Sequence, residues 1–281
     1  MIPFRRALPA LLLLAGAAPA GAHEFWLSPS RYSAVAADTV SVGAQVGTGF
    51  RGEAKPYAAS RVQTLVAVGA RRIDLAKVGL NGDFVFARWI TGDGGGQLVG
   101  YQSDFATIEL PAREFDRYLE LEGLDAPLAA RRGLGARAGP GRERYARCPK
   151  TWIAGSEPRR AGVWIGLPIE IAPLGDPGAA GPLRVAVRWR GRPLAGALVG
   201  AWNMPLAAGL APRDPAARDS VPPLVRVRTG RDGVAVLPLE RAGEWMIATV
   251  QMVPCAERAV ADWESWWASL TFARATRPEG R

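Results

Sequence analysis

The sequence predicts a mainly β protein of the all-β class, with two antiparallel β-sandwich domains and one helix inserted in the first. Short segments alternate apolar and polar residues with a period of two, as strands with one buried face do. Glycine, proline and asparagine turn signals separate these segments at intervals of about 8–12 residues, which is typical of sandwiches. Only residues 111–122 have a clear helical spacing of apolar positions, which predicts a single helix.

The first 22 residues have the pattern of a secretory signal peptide. A short basic segment precedes an apolar run from Ala7 to Ala18, and Ala20-Gly21-Ala22 has small residues where a signal peptidase cuts. The run is too short for a spanning helix, and no later stretch approaches the roughly 18 apolar residues that a span requires. We therefore predict a periplasmic mature chain that begins at His23 and has no membrane span.

The N-terminal domain is predicted over residues 23–173. Residues 39–46 and 62–68 alternate as strands, and Asn81-Gly82 is a hairpin-type turn. Between Pro111 and Glu122, apolar residues recur at helical spacing. Proline is tolerated in the first turn, and Gly123 is placed to end the helix. Residues 129–150, rich in glycine and arginine, are predicted to form a long loop.

The C-terminal domain is predicted over residues 183–275, after a glycine- and proline-rich linker at 174–182 and before a tail at 276–281. Residues 183–189 and 243–250 alternate as strands. The segments Gly191-Arg192-Pro193-Leu194-Ala195-Gly196-Ala197 and Thr229-Gly230-Arg231-Asp232-Gly233 resemble patterns of transthyretin-like and carboxypeptidase-regulatory-like sandwiches. That resemblance implies a fold and no function.

Charge and cysteine content bound the partners. The chain has a formal net charge of +9, but its arginines accompany abundant alanine, glycine and proline, which indicates a general compositional bias. The one basic concentration, within residues 131–150, falls in the predicted loop without interleaved aromatic residues, so we predict no nucleic-acid binding. In an oxidising compartment Cys148 and Cys255 are a possible disulfide.

The single histidine gives the leading functional hypothesis. Cleavage after Ala22 would leave His23 with two nitrogens, its α-amine and its imidazole, which can chelate one metal ion. Nitrogen donors favour Cu(II) and then Ni(II) or Co(II). Two nitrogens make a weak site, so further ligands are required, and the spacing leaves them open among Glu24, Tyr101, Asp104, Met252, Asp262 and Glu264. The alternative is that His23 begins a strand and is solvated.

Catalytic chemistry has less support. Ser/His/Asp and Cys/His catalysis need a base beside a nucleophile, and the only histidine precedes a β-domain. Asp262 and Glu264 could act as acid and base, but two carboxylates two apart on a strand are more often solvated. Trp263, Trp266 and Trp267 are expected in a core or an interdomain seam. We predict that the protein is not an enzyme.

Several stretches together resemble domain-of-unknown-function family 4198, which is grouped with predicted periplasmic components of cobalt/nickel uptake systems. They are His23-Glu24-Phe25-Trp26-Leu27, Gly100-Tyr101-Gln102-Ser103, Glu109-Leu110-Pro111, Glu122-Gly123-Leu124-Asp125, residues 141–150, Gly166-Leu167-Pro168-Ile169-Glu170 and residues 262–272. The resemblance implies export and a metal-related role. Similar proteins often have a histidine at the position of Gln251, so one potential ligand is absent here.

These observations predict a periplasmic accessory protein that binds or delivers nickel, cobalt or copper. An inner-membrane ABC-type or outer-membrane transporter is its expected partner. The alternative is a structural or interaction module that docks to an envelope transporter or receptor without metal. A third hypothesis is a copper-dependent redox enzyme that uses the N-terminal histidine.

Overall fold

The computed structural model describes residues 24–204 and 222–275, without the side chain of Ala136. The predicted signal peptide at 1–22, His23 and the predicted tail at 276–281 lie outside the described residues. Within the described ranges the chain forms three β-sheets and two helices. None of the helices in these ranges has the length and apolar character needed to cross a membrane.

The described residues form seventeen strands and two α-helices. The strands are β1 (Glu24–Pro29), β2 (Thr39–Thr48), β3 (Arg51–Lys55), β4 (Val62–Val68), β5 (Arg72–Asp74), β6 (Ala87–Ile90), β7 (Gly96–Ser103), β8 (Ala106–Leu110), β9 (Gly141–Ala154), β10 (Ile169–Pro173), β11 (Leu183–Trp189), β12 (Arg192–Pro193), β13 (Leu198–Met204), β14 (Val225–Arg228), β15 (Val234–Leu237), β16 (Gly243–Pro254) and β17 (Trp263–Arg274). The helices are α1 (Ala112–Leu121) and α2 (Asp125–Leu134).

One large sheet, here called the central sheet, organises the molecule. Its strand order is β14-β13-β16-β17-β9-β7-β4-β5, and β8 pairs with the beginning of β9. The contact between β17 and β9 is parallel and runs from Trp263 beside Glu143 to Thr271 beside Thr151. Because β9 precedes the predicted linker and β17 follows it, strands from both predicted domains belong to the same sheet.

Smaller sheets cover both faces of the central sheet. The first face, which carries Trp267 and Ser269 of β17, is covered by β1, β2, β3 and β6 and by the two helices. The second face, which carries Trp266 and Leu270, packs against the sheet of β10, β11, β12 and β15. Apolar side chains alternate between these two cores, as the period of a strand requires. The mainly β sandwich class is therefore confirmed.

The predicted linker at 174–182 has a different role in the structure. It is the loop of a hairpin, because β10 and β11 pair antiparallel from Ile169 opposite Trp189 to Pro173 opposite Val185. The guanidinium of Arg274 fixes this loop by donating to the carbonyl oxygens of Pro177 at 2.9 Å and Gly181 at 2.8 Å. A segment rich in glycine and proline suits a tight loop as well as a linker, and only the pairing of its neighbours distinguishes the two.

The predicted helix is confirmed, whereas the predicted loop at 129–150 is wrong. Helix α2, a 3₁₀ turn at Gly135–Arg137 and the first ten residues of β9 occupy most of it. β9 begins at Gly141, and glycine is required there because a Cβ would lie 2.1 Å from the ring of Phe115. The arginines of this segment read as loop residues in sequence, yet Arg142 and Arg144 are strand residues with carboxylate partners on neighbouring chain segments.

Cys148 and Cys255 are both buried and free, so the possible disulfide between them is not formed in the structure. Cys148 lies beside Ala268 of β17, whereas Cys255 follows Pro254, which pairs with Trp263. The distance along β17 between these two positions is about 16 Å at the rise of a strand. A disulfide requires Cα atoms within about 7 Å.

Candidate functional site

The start of the described chain is fixed on the first face of the central sheet. Ser269 donates a hydrogen bond from its hydroxyl to the carbonyl oxygen of Phe25 at 2.8 Å, and Thr271 donates to that of Leu27 at 2.8 Å. The ring of Phe25 stacks on that of Tyr101, with centroids 5.6 Å apart. The chain therefore enters the fold at a defined place, and Glu24 is the first described residue there.

Three carboxyl groups form what we call the acidic cluster: Glu24, Glu122 and Glu143. Glu24 is 7% exposed, and its Oε2 atom accepts no hydrogen bond from the described residues. Burial raises the pKa of Glu24 to about 7, although the backbone of Gly49 and the charge of Arg147 act in the opposite direction. A buried carboxyl oxygen without a donor is uncommon in a folded protein.

Glu122, which is half-buried, and Glu143, which is buried, also have raised pKa values. Glu122 follows the last residue of α1, and burial, with the neighbouring charge of Glu24 as the next cause, raises its pKa to about 8. Glu143 accepts hydrogen bonds from the hydroxyls of Ser265 and of Tyr118, the latter at 3.2 Å. Burial raises the pKa of Glu143 to about 7 in spite of these donors.

The charge of Arg147 lowers the pKa of all three cluster carboxyls, and that of Arg226 also lowers the pKa of Glu122. The guanidinium carbon of Arg147 is 4.7 Å from the ring centroid of Tyr145 and 5.0 Å from that of Trp267, so aromatic rings hold it in place. Its Nη1 atom is buried and has no hydrogen-bond partner among the described residues. None of the cluster carboxylates forms an ion pair within 4 Å with another described residue. The three carboxyls of the cluster therefore lack a close cationic partner among the described residues.

Three of the carboxylates that the sequence offers as further metal ligands lie outside the acidic cluster. Asp104 pairs with Arg61 at 2.8 Å, and Asp262 accepts two hydrogen bonds from Arg142 at 2.9 and 3.1 Å. Glu264 accepts a hydrogen bond from Arg144 at 2.8 Å on the second face. These carboxylates already have cationic partners, and none of them belongs to the acidic cluster.

Tyr101 and Met252 are core residues. Burial raises the pKa of Tyr101 to about 12, which opposes the deprotonated form that a metal would require. Met252 lies opposite Ser265 in the β16–β17 register and is buried with Trp263 and Trp267 on the first face. Of the open ligands, Glu24 is therefore a member of the cluster, and Met252 lies on the same face of the sheet.

Gln251 lies on the face of the central sheet that is opposite to the acidic cluster. Gln251 lies opposite Trp266, so its side chain belongs to the second face of the central sheet. The acidic cluster lies on the first face, where Glu143 meets Ser265. A ligand at position 251 would therefore not face the acidic cluster.

The described residues contain no group of three or more His, Cys, Asp or Glu side chains arranged to hold a metal ion. His23, which is outside the described residues, is covalently next to Glu24. A metal site at the acidic cluster would need donors beyond these carboxyls, and His23 is a candidate donor by its place in the sequence. Without a metal, the cluster can hold protons, since the pKa values of Glu24 and Glu143 lie near 7.

Sequence reasoning missed Glu122, Glu143 and Arg147. Glu143 and Arg147 lie in the segment 129–150, for which the sequence predicts a loop, and charged residues of a loop are expected to be solvated. A usable signal is that Glu143, Tyr145 and Arg147 alternate with period two just before the strand-like run at 148–154. Glu122 gives no signal of its own, since a glutamate at a helix end is ordinary.

Comparison with known proteins gives one family. A family model described as a domain of unknown function, DUF4198, matches residues 20–253, which is more than half of the chain. Among curated proteins, none matches this sequence.

Proposed function

The chain belongs to the DUF4198 family, and we propose that it is an exported accessory protein that binds a nickel, cobalt or copper ion at the N-terminus created by signal cleavage. The observation that carries the proposal is the unpartnered, buried carboxyl oxygen of Glu24, one residue after His23. Arg147 acts on the acidic cluster only through its charge and forms no ion pair with it, and a bound metal ion would supply a close cation.

Cleavage after Ala22 would create the required amine on the residue that precedes Glu24. Consecutive Cα atoms are about 3.8 Å apart, so a terminal amine on His23 is tied to the backbone of Glu24. The amine and the imidazole have ordinary pKa values of about 7.7–8.0 and 6.5, and a metal ion displaces their protons readily near neutral pH. With a carboxylate from Glu24 or Glu122, the donor set is nitrogen and oxygen, which suits copper, nickel and cobalt.

A second candidate rests on the same deficit of cations. The ammonium group of a mature His23 can neutralise Glu24 and Glu122 without any metal, and the protein is then a structural or docking module of the cell envelope. Signal cleavage would in that case lock the chain start onto the first face. A copper-dependent redox enzyme remains a third hypothesis, to be tested by electron transfer from the copper-loaded protein.

The test compares two forms of the protein by isothermal titration with Ni(II), Co(II) and Cu(II). One begins at His23, and the other retains residues 18–22, which moves the amine several residues away from the imidazole. We expect binding in the micromolar range or tighter for the first form and about a hundredfold weaker binding for the second, because the chelate ring is lost. Equal affinities would contradict the proposal.

Two variants assign the oxygen ligand. Glu24→Gln and Glu122→Gln are compared with Glu114→Gln, which alters an exposed glutamate of α1, the helix that Glu122 follows. Loss of affinity in the first two alone supports a ligand role. Thermal unfolding without metal tests the second candidate. If the form that begins at His23 takes up no ion and is already much more stable than the extended form, the amine neutralises the cluster.

A further inference from the structure

A cavity of about 410 Å³ opens on the second face of the central sheet, away from the acidic cluster. It is bordered by Trp164, Arg188, Arg190, Trp266 and Gln102. Its volume lies within the range of about 300–1,000 Å³ that small-molecule sites occupy. Two indole rings and two guanidinium groups border it beside the carboxylate of Glu170, so the cavity offers aromatic and cationic contacts.

The loop at one side of the cavity is rigidly built. The carboxylate of Glu170 accepts hydrogen bonds from the backbone N–H groups of Ile165 at 2.9 Å, Gly166 at 2.8 Å and Leu167 at 3.0 Å. The buried ammonium of Lys150 completes its shell at 3.0 Å. Glu170 is therefore neutralised and saturated, and its charge does not repel an anion in the cavity.

Arg188 has no such neutralising partner. Its guanidinium carbon stacks 4.2 Å from the ring centroid of Trp164. None of the described residues places a carboxylate within 4 Å of it. The contact with the ring positions this guanidinium, and an arginine without an ion pair can bind carboxylate or phosphate oxygens in pairs.

Arg190 adds a second cation at the rim. With Gly191 it forms the two-residue turn between β11 and β12, and both residues have positive φ, at 50° and 75°. A side chain at such a position costs about 1–2 kcal/mol relative to glycine, and strained residues of this kind cluster at binding sites. The guanidinium carbon of Arg190 is 5.1 Å from the ring centroid of Trp266. Its carboxylate neighbour Glu264, at 3.7 Å, is shared with Arg144.

We propose that this cavity binds a small organic oxyanion, with its carboxylate or phosphate on Arg188 and Arg190 and its apolar part against Trp164 and Trp266. The site is independent of the metal proposal, because it lies on the opposite face of the sheet. Since carboxylate and phosphate present the same paired oxygens to arginine, the ligand class is defined by that shared chemistry.

The experiment titrates the protein with benzoate, phenyl phosphate and inorganic phosphate, and with benzamide as the neutral analogue of benzoate. We expect benzoate or phenyl phosphate to bind at least about tenfold more tightly than benzamide and inorganic phosphate, because both the charge and the ring contribute. The stronger of the two aromatic anions identifies the headgroup. Equal binding of benzoate and benzamide, or no binding of either aromatic anion at about 10 mM, would overturn the proposal.

Matched variants locate the binding. Arg188→Gln removes the stacked cation, and Arg190→Asn removes the second cation while keeping a residue that tolerates positive φ in the turn. Arg184→Gln is the control, because Arg184 is exposed on the same strand and the same side as Arg188 but does not border the cavity. We expect about a tenfold loss of anion affinity in the first two and none in the control. An equal loss in all three would show a nonspecific charge effect and overturn the site.

Discussion

The two faces of the central sheet treat the same side-chain types in opposite ways. On the second face, Glu170 pairs with Lys150 and Glu264 pairs with Arg144, so each of these carboxylates has a cation at hydrogen-bond distance. On the first face, Glu24, Glu122 and Glu143 have no ion-pair partner among the described residues, and Glu143 accepts hydrogen bonds from neutral side chains such as Ser265 and Tyr118. Both arrangements occur side by side, since Glu143 bonds to Ser265 on the first face and its neighbour Arg144 bonds to Glu264 on the second.

The difference shows what a buried acid requires. Taking a carboxylate out of water is expensive, and a close cation repays much of that cost. Where the cation is present, as at Glu170, the carboxylate organises a loop. Where it is absent, as at Glu24, the pKa rises towards neutral and the group is ready to take a proton or a cation. The first face is therefore the one expected to respond to processing, pH and metal.

The largest expected effect comes from breaking the ion pair of the second face. Lys150→Met leaves the carboxylate of Glu170 buried without its cation, and we expect a loss of about 3–5 kcal/mol in the free energy of unfolding. Urea unfolding measures it. The control is Lys55→Met, which removes an exposed pair with Glu53 and should cost no more than about 1 kcal/mol. Similar losses in both variants would contradict the contrast.

A smaller effect is expected on the first face, and it depends on pH. The pKa of Glu143 is about 7 in the folded protein and near 4.5 without the fold, so the folded state holds the proton over that interval. Stability must then fall as the pH rises from about 5 to 8. In Glu143→Gln this fall should shrink by about 1–3 kcal/mol, as the difference between unfolding free energies at the two pH values.

Glu264→Gln is the matched control for that measurement. It removes a carboxylate of the neighbouring strand that is paired with Arg144 on the second face. We expect it to lower stability by a similar amount at pH 5 and pH 8. If Glu143→Gln keeps the pH dependence of the unaltered protein, the buried acid is not its source.

The smallest expected effect is no change at all. Because Cys148 and Cys255 lie too far apart to bridge, a reducing agent should leave the unfolding midpoint unchanged. Mass spectrometry after alkylation of the unfolded protein should find both thiols modified without prior reduction. An unfolding midpoint that drops on reduction would mean that Cys148 and Cys255 form a disulfide in solution.

Prediction from sequence succeeded where the signal is local. The strands at 39–46 and 62–68 and the helix at 111–122 follow from the spacing of apolar residues, and the structure places elements there. It failed at 129–150, because charged residues on a strand look like loop residues until their partners are known. The candidate site was predicted in part, since Glu24 was named, whereas Glu122, Glu143 and Arg147 were not.

The sequence by itself determined the mainly β class, the helix α1 and the place of the only histidine next to Glu24. These depend on neighbours along the chain, where periodicity and covalent linkage act directly. Only the tertiary structure decided that β9 and β17 join both halves in one sheet and that Glu24, Glu122 and Glu143 share one face. Strand pairing between distant segments sets which side chains meet, and no pattern within either segment specifies its partner.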